Sequence, residues 1–175
     1  VILICSTLLA LTKGETMKVM KVKMLIAVLC LSTAAAFAAK HSDFSGSWQF
    51  NTDKSKNVGM MAQMKMTYAV AQSASALDVT AHTTFQGRDE DRKTHYDLAG
   101  GPSTNESPMG GPAETISKWS GGNLVTTWTS ESAVAGGPKI VRTETWSLSP
   151  DGKTLTIESV RGTNPALVMV FDKSQ

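Results

Sequence analysis

Between residues 43 and 173 the chain repeats one device: short runs in which apolar and polar positions alternate, rich in Val, Ile, Thr, Phe and Trp, and cut by Gly, Pro, Asn, Asp and Ser. Successive side chains of a strand point to opposite faces, so this period marks half-buried strands of an antiparallel sheet. It predicts strands at Phe44 to Phe50, Met66 to Gln72, Leu77 to Phe85, Lys93 to Leu98, Thr115 to Trp119, Leu124 to Ser130, Lys139 to Leu148, Lys153 to Arg161 and Leu167 to Phe171. The connections are mostly hairpin length. In Ser149-Pro150-Asp151-Gly152 the proline presets one turn dihedral and the glycine accepts a positive φ, and Gly121-Gly122-Asn123 joins the two preceding strands in the same way. Consecutive hairpins without a helical period form an up-and-down meander, and about nine strands lose their open edges by closing into a barrel.

Alternation also assigns faces. Ile140, Arg142, Glu144, Trp146 and Leu148 share one side of their strand, against Val141, Thr143, Thr145 and Ser147 on the other. The first set is the interior face, joined by Leu124, Thr126 and Trp128, by Leu155, Ile157, Ser159 and Arg161, and by Leu167, Met169 and Phe171. The exterior is then rich in threonine, as a sheet with one face in water requires. Two segments break the period, and one further run is charged. Asp53 to Lys65 places Met60, Met61 and Met64 on one helical face and predicts a short helix or lid. Ala99 to Pro112 is a Gly, Pro and Ser loop with too few bulky side chains to build a core, and Gly87 to Lys93 is a mixed-charge run expected at a solvated hairpin tip.

Met17 to Ala39 has a different pattern: Lys18, Lys21 and Lys23, then an apolar run from Met24 to Leu31, then Ala36-Phe37-Ala38. Basic, apolar and small-x-small in that order predict a secretory signal peptide cut before Ala39. The expected organisation is an upstream or mis-started leader at 1–16, a signal peptide at 17–38 and one β-barrel domain at 39–175. A membrane span needs roughly 20 consecutive apolar residues, and neither leading run reaches that length. Leu29 before Cys30 is too large for a lipid-modified cysteine motif. Cleavage changes the charge balance, because Lys13, Lys18, Lys21 and Lys23 against Glu15 take +3 from a chain whose net charge is +2, leaving −1. A nucleic-acid partner is thereby unsupported. Both cysteines, Cys5 and Cys30, leave as well, so a periplasmic or secreted domain folds without a disulfide.

Phe44-Ser45-Gly46-Ser47-Trp48-Gln49-Phe50-Asn51 with Asp53-Lys54-Ser55-Lys56, and later Trp146-Ser147-Leu148-Ser149-Pro150-Asp151-Gly152-Lys153-Thr154-Leu155, resemble a group of exported bacterial lipocalin-like proteins of unassigned function. The resemblance implies an all-β fold, a single lipocalin-like barrel of eight to ten strands with a central cavity and a Trp plugging one end. It implies no catalytic residues. In that group the connection after the first strand is often proline-rich, whereas here it is the methionine segment.

Candidate chemistry is sparse. Arg142 and Glu144 on an apolar face, with Arg161, suit the polar head of a ligand or, more plainly, an ion pair that closes the interior, since buried charges must be paired. Trp128, Trp146 and Met169 are candidate cavity walls, because small-molecule pockets are aromatic and apolar with few polar groups. Met60, Met61, Met64 and Met66 are weak candidates for a Cu(I) site, thioethers being soft ligands, although methionine serves equally as a flexible gap-filler. His41, His82 and His95 have no zinc spacing. His95 and Asp97 share a face, but no nucleophile accompanies them. Asn105-Glu106-Ser107 matches a glycosylation acceptor, a tripeptide too short to carry weight. The expectation is a non-enzymatic, cofactor-free binder of a small, partly apolar ligand; the alternative is a packed interaction module acting through the Ala99 to Pro112 loop.

Overall fold

The computed structural model describes residues 41–108 and 110–174. The expectations for 1–16 and 17–38 lie outside the described residues. Ten antiparallel strands form one nearly closed barrel: β1 Gly46–Phe50, β2 Lys65–Gln72, β3 Ala76–Phe85, β4 Arg88–Asp97, β5 Pro102–Glu106, β6 Pro112–Ser120, β7 Asn123–Ser130, β8 Ile140–Leu148, β9 Thr154–Val160 and β10 Leu167–Lys173. The hydrogen-bonded order is β4-β3-β2-β1-β10-β9-β8-β7-β6-β5. Every strand therefore pairs with its sequence neighbour except at two places. β1 pairs with β10, with Phe50 opposite Phe171, and between β4 and β5 the ladder is missing.

Local chemistry explains the turns. Ser149 N–H donates to Thr154 O at 2.9 Å, Gly152 sits at φ +68°, and Ser149 Oγ donates to Asp151 Oδ1 at 2.6 Å, so the β8–β9 hairpin is fixed by its own side chains. The β3–β4 turn is shorter than expected. Gln86 at φ +51° and Gly87 at φ +77° make a two-residue turn with both central dihedrals positive, the geometry that matches strand twist. Arg88 to Lys93 is therefore strand, and apart from the half-buried Arg92 it is solvated as expected.

The loop expected at Ala99 to Pro112 also contains a strand. β5 begins on Pro102, where a missing N–H is tolerated, and pairs only with β6. Its free side faces β4, and Asn105 bridges that seam. Asn105 Oδ1 accepts His95 N–H at 2.9 Å, while Nδ2 donates to His95 O at 2.8 Å and to Thr115 Oγ1 at 2.8 Å. One amide thus replaces two ladder bonds, and its burial leaves no room for a glycan on the folded barrel. Replacing Asn105 by Ala strands both His95 backbone groups and should lower stability by about 1–3 kcal/mol. Equilibrium urea unfolding measures this, and an unchanged midpoint would show that the seam holds without it.

The lower end of the barrel is plugged. Phe44 and Trp48 are fully buried with Leu77, Leu124, Leu155 and Phe171. Phe44 precedes β1 rather than starting it. Its N–H donates to Gln72 Oε1 at 2.9 Å, Gln72 Nε2 donates to Ser42 O at 2.9 Å, and His41 stacks on Trp119 with ring centroids 4.2 Å apart. The segment before β1 is thereby drawn across the strand ends. At the other end the connection from β1 to β2 runs up β10, where Lys56 exchanges backbone bonds with Val168 and Ser55 Oγ accepts Val170 N–H. It then makes a single 3-10 turn at Gly59–Gln63 rather than an α-helix. Met61 in the turn and Met64, the extended residue that ends it, both face the barrel interior, and Met60 turns outward, 72% exposed.

Candidate functional site

Above the plug the barrel is hollow, with a cavity of about 270 Å³. Its walls come from the inward positions of β2, β3, β4, β7, β8, β9 and β10, and its rim from Met61, Met64, Pro108 and Glu106 at the end of β5. Of the predicted site residues, Trp128, Arg142, Glu144, Trp146 and Met169 all line it. Arg161 does not. The strand period was carried one residue too far: β9 stops at Val160, and Arg161 is exposed in the turn, where its carbonyl accepts Asn164 N–H. Met61, Met64 and Met66 reach the cavity from the lid and β2.

Glu144 organises the floor. Its Oε1 accepts the Tyr96 hydroxyl at 3.0 Å and Trp146 Nε1–H at 2.7 Å, while Oε2 stands 3.6 Å from Arg142 Nη2. That last distance is an ion pair without a hydrogen bond. The Arg142 guanidinium lies 4.6 Å above the Trp128 ring, a cation–π contact that holds it flat against β7. Across the barrel Arg92 Nη2 donates to Glu90 Oε1 at 3.2 Å. Three buried donors have no acceptor: Arg142 Nη2, Arg92 Nε and Trp128 Nε1. All three residues line the cavity, and no buried side-chain acceptor among the described residues is left without a partner. All three nitrogens are shut off from the cavity as well as from outside solvent, so their missing bonds are a cost of packing and not vacant positions for a ligand atom.

The cavity also holds both tyrosines of the chain, Tyr68 and Tyr96. Burial, and then the charge of Glu144, push both phenols well above their ordinary range. A phenol raised in the fold contributes stability that is intact below the unfolded value of about 10 and is lost as pH climbs from there toward the folded value. Tyrosinate absorbance should therefore rise only together with loss of the near-ultraviolet circular dichroism. A separate titration step near pH 10 in a still-folded barrel would contradict the burial of these two rings.

Sequence reasoning missed Arg92, Tyr68 and Tyr96. The signal for Arg92 was present, since Glu90, Arg92, Thr94 and Tyr96 alternate into the barrel, but charges at those positions imitate a surface turn. His95 and Asp97 face outward and do not pair. His95 Nδ1 is bonded to Asp78 Oδ1 at 2.7 Å, and Asp97 Oδ1 accepts Ala99 N–H at 2.7 Å.

No family model matches the chain, and no curated protein matches it in sequence. Solved structures do match its fold. The Echinococcus granulosus fatty-acid-binding protein 1 is 13% identical with a TM-score of 0.58, over 75% of this chain and 98% of that one. A fatty-acid-binding protein from Drosophila melanogaster brain tissue is 17% identical with a TM-score of 0.56, over 74% and 99%. The Schistosoma mansoni fatty acid binding protein in complex with arachidonic acid is 14% identical with a TM-score of 0.57, over 75% and 96%. At these identities the likeness establishes the antiparallel β-barrel fold and no more.

Proposed function

We propose that this barrel is an exported carrier that holds one small, mostly apolar molecule in its upper cavity. The observation that carries the reading is the hollow itself: about 270 Å³ bounded by Ile157, Leu167, Met169, Val79 and two tryptophans, above a floor of satisfied polar groups. Folding alone favours filling such a space, because interiors pack to crystal-like density and voids forfeit dispersion contacts. The fatty-acid-binding names of the similar structures support an apolar cargo. The methionine rim supports adaptable entry, since thioether side chains repack at little cost. Export to the bacterial envelope is part of the proposal and rests on the Lys, apolar and small-residue order of residues 17–38.

Native mass spectrometry of the protein purified from its own envelope tests both halves. The expected spectrum shows a polypeptide starting at Ala39 with a small organic adduct. A polypeptide retaining residues 17–38 would overturn export, and failure to take up any added apolar molecule would overturn the carrier reading.

A further inference from the structure

The fixed charges of the cavity point to a cargo class different from an ionised amphiphile. The described lining residues hold two guanidiniums, Arg92 and Arg142, against three carboxylates, Glu90, Glu106 and Glu144. The wall therefore has one negative charge in excess. The deepest carboxylate, Glu144, is only 5% exposed and lies directly beside Arg142. An anionic head drawn to Arg142 would be placed next to a second buried anion, with one guanidinium between them and little water to screen the repulsion. Each guanidinium already stands beside a glutamate, Arg142 Nη2 at 3.6 Å from Glu144 Oε2 and Arg92 Nη2 at 3.2 Å from Glu90 Oε1. The site thus offers no net positive charge to a counter-ion.

We propose, on the reading of the barrel as a carrier, that its cargo is an uncharged apolar molecule, and that Glu144 is the residue that selects against carboxylates. The hydrocarbon lies toward Ile157, Met169 and the methionine rim. Each guanidinium keeps its own glutamate, so a neutral cargo enters without stranding a charge.

The test uses the folded barrel and a competition. The neutral fluorophore N-phenyl-1-naphthylamine occupies the cavity, and 2-undecanone or decanoate, which share one alkyl chain, displaces it near neutral pH. The ketone should compete about tenfold or more better than the carboxylate. Glu144→Gln removes the buried charge while keeping an acceptor for Tyr96 and Trp146, and should shift the ratio toward decanoate by about tenfold or more. Glu90→Gln, at a position whose side chain is 68% exposed, guards against a folding defect in the first variant and should shift the ratio in the same direction by less. Decanoate binding as tightly as the ketone in the unmodified protein, or a ratio unmoved in both variants, overturns the assignment and leaves the carrier reading intact. Absence of fluorophore uptake overturns both.

Discussion

Replacing Trp48 by Ala is expected to bring the barrel close to unfolding, with a loss of about 3–5 kcal/mol in chemical denaturation. The side chain is fully buried, its ring packs in the plug at the lower end, and its Nε1–H donates to Phe44 O at 2.8 Å. Truncation removes the largest buried ring of β1 and leaves the Phe44 carbonyl without its donor, in a protein class whose total stability is about 5–15 kcal/mol. The effect extends beyond the cavity left behind. Phe44, Gln72 and Ser42 tie the segment before β1 across the strand ends, so loosening Trp48 loosens that tie. Trp48→Phe keeps most of the buried area and should lose about 1–2 kcal/mol, mainly the hydrogen bond. A loss below about 1 kcal/mol for the Ala variant would mean that the lower end is held by something other than this ring.

Filling the upper cavity should have the opposite signature: stability nearly kept and binding lost. Ala81 lies on the inward side of β3 at the cavity wall, paired across the ladder with Tyr68 and Arg92. In Ala81→Trp an indole enters the hollow from a strand that already fits the sheet. Overpacking a close-packed core costs about 1–3 kcal/mol, but here the added ring meets open space, so a cost below about 1 kcal/mol is expected. Affinity for an apolar probe should fall more than about tenfold, a change of 1.4 kcal/mol in binding. Intact near-ultraviolet circular dichroism would show that the fold survives the substitution. If probe affinity survives as well, the probe is bound elsewhere.

Much of this architecture was legible because turns and strand alternation are local. Ser149 to Gly152 carries its own hairpin instructions, and the period on β8 placed Arg142, Glu144 and Trp146 inward before any tertiary contact was known. The lipocalin-like expectation is met at the level of a single ten-stranded antiparallel barrel. The errors share a cause: each arose where a residue's partner is distant in sequence. β5 was read as loop because it is short and polar, and its inward Asn105 makes sense only against His95 on the neighbouring strand. Arg88 to Lys93 reads as a turn in the sequence because its charges, apart from the half-buried Arg92, are exposed, and an exposed charged strand end looks like a turn until its partner strand is in view. Arg161 shows the converse, a correct period carried past the turn that ends it.

The hollow interior is the part that no sequence period reports, since the same alternation serves a packed barrel and an open one. Glu144 shows how the two are reconciled. An isolated buried carboxylate would be prohibitive, but Tyr96 and Trp146 satisfy one oxygen and Arg142 neutralises the other side, so a polar floor can sit above the apolar plug.

The most direct test of the central claim is a titration of the folded protein with N-phenyl-1-naphthylamine, followed by tryptophan fluorescence. Trp128 and Trp146 line the cavity while Trp48 lies outside its lining. Saturable quenching of part of the tryptophan emission, at one probe per barrel and abolished by Ala81→Trp, is the predicted result. Emission that stays unchanged, or quenching that never saturates and is indifferent to Ala81→Trp, would show that the barrel is not a container.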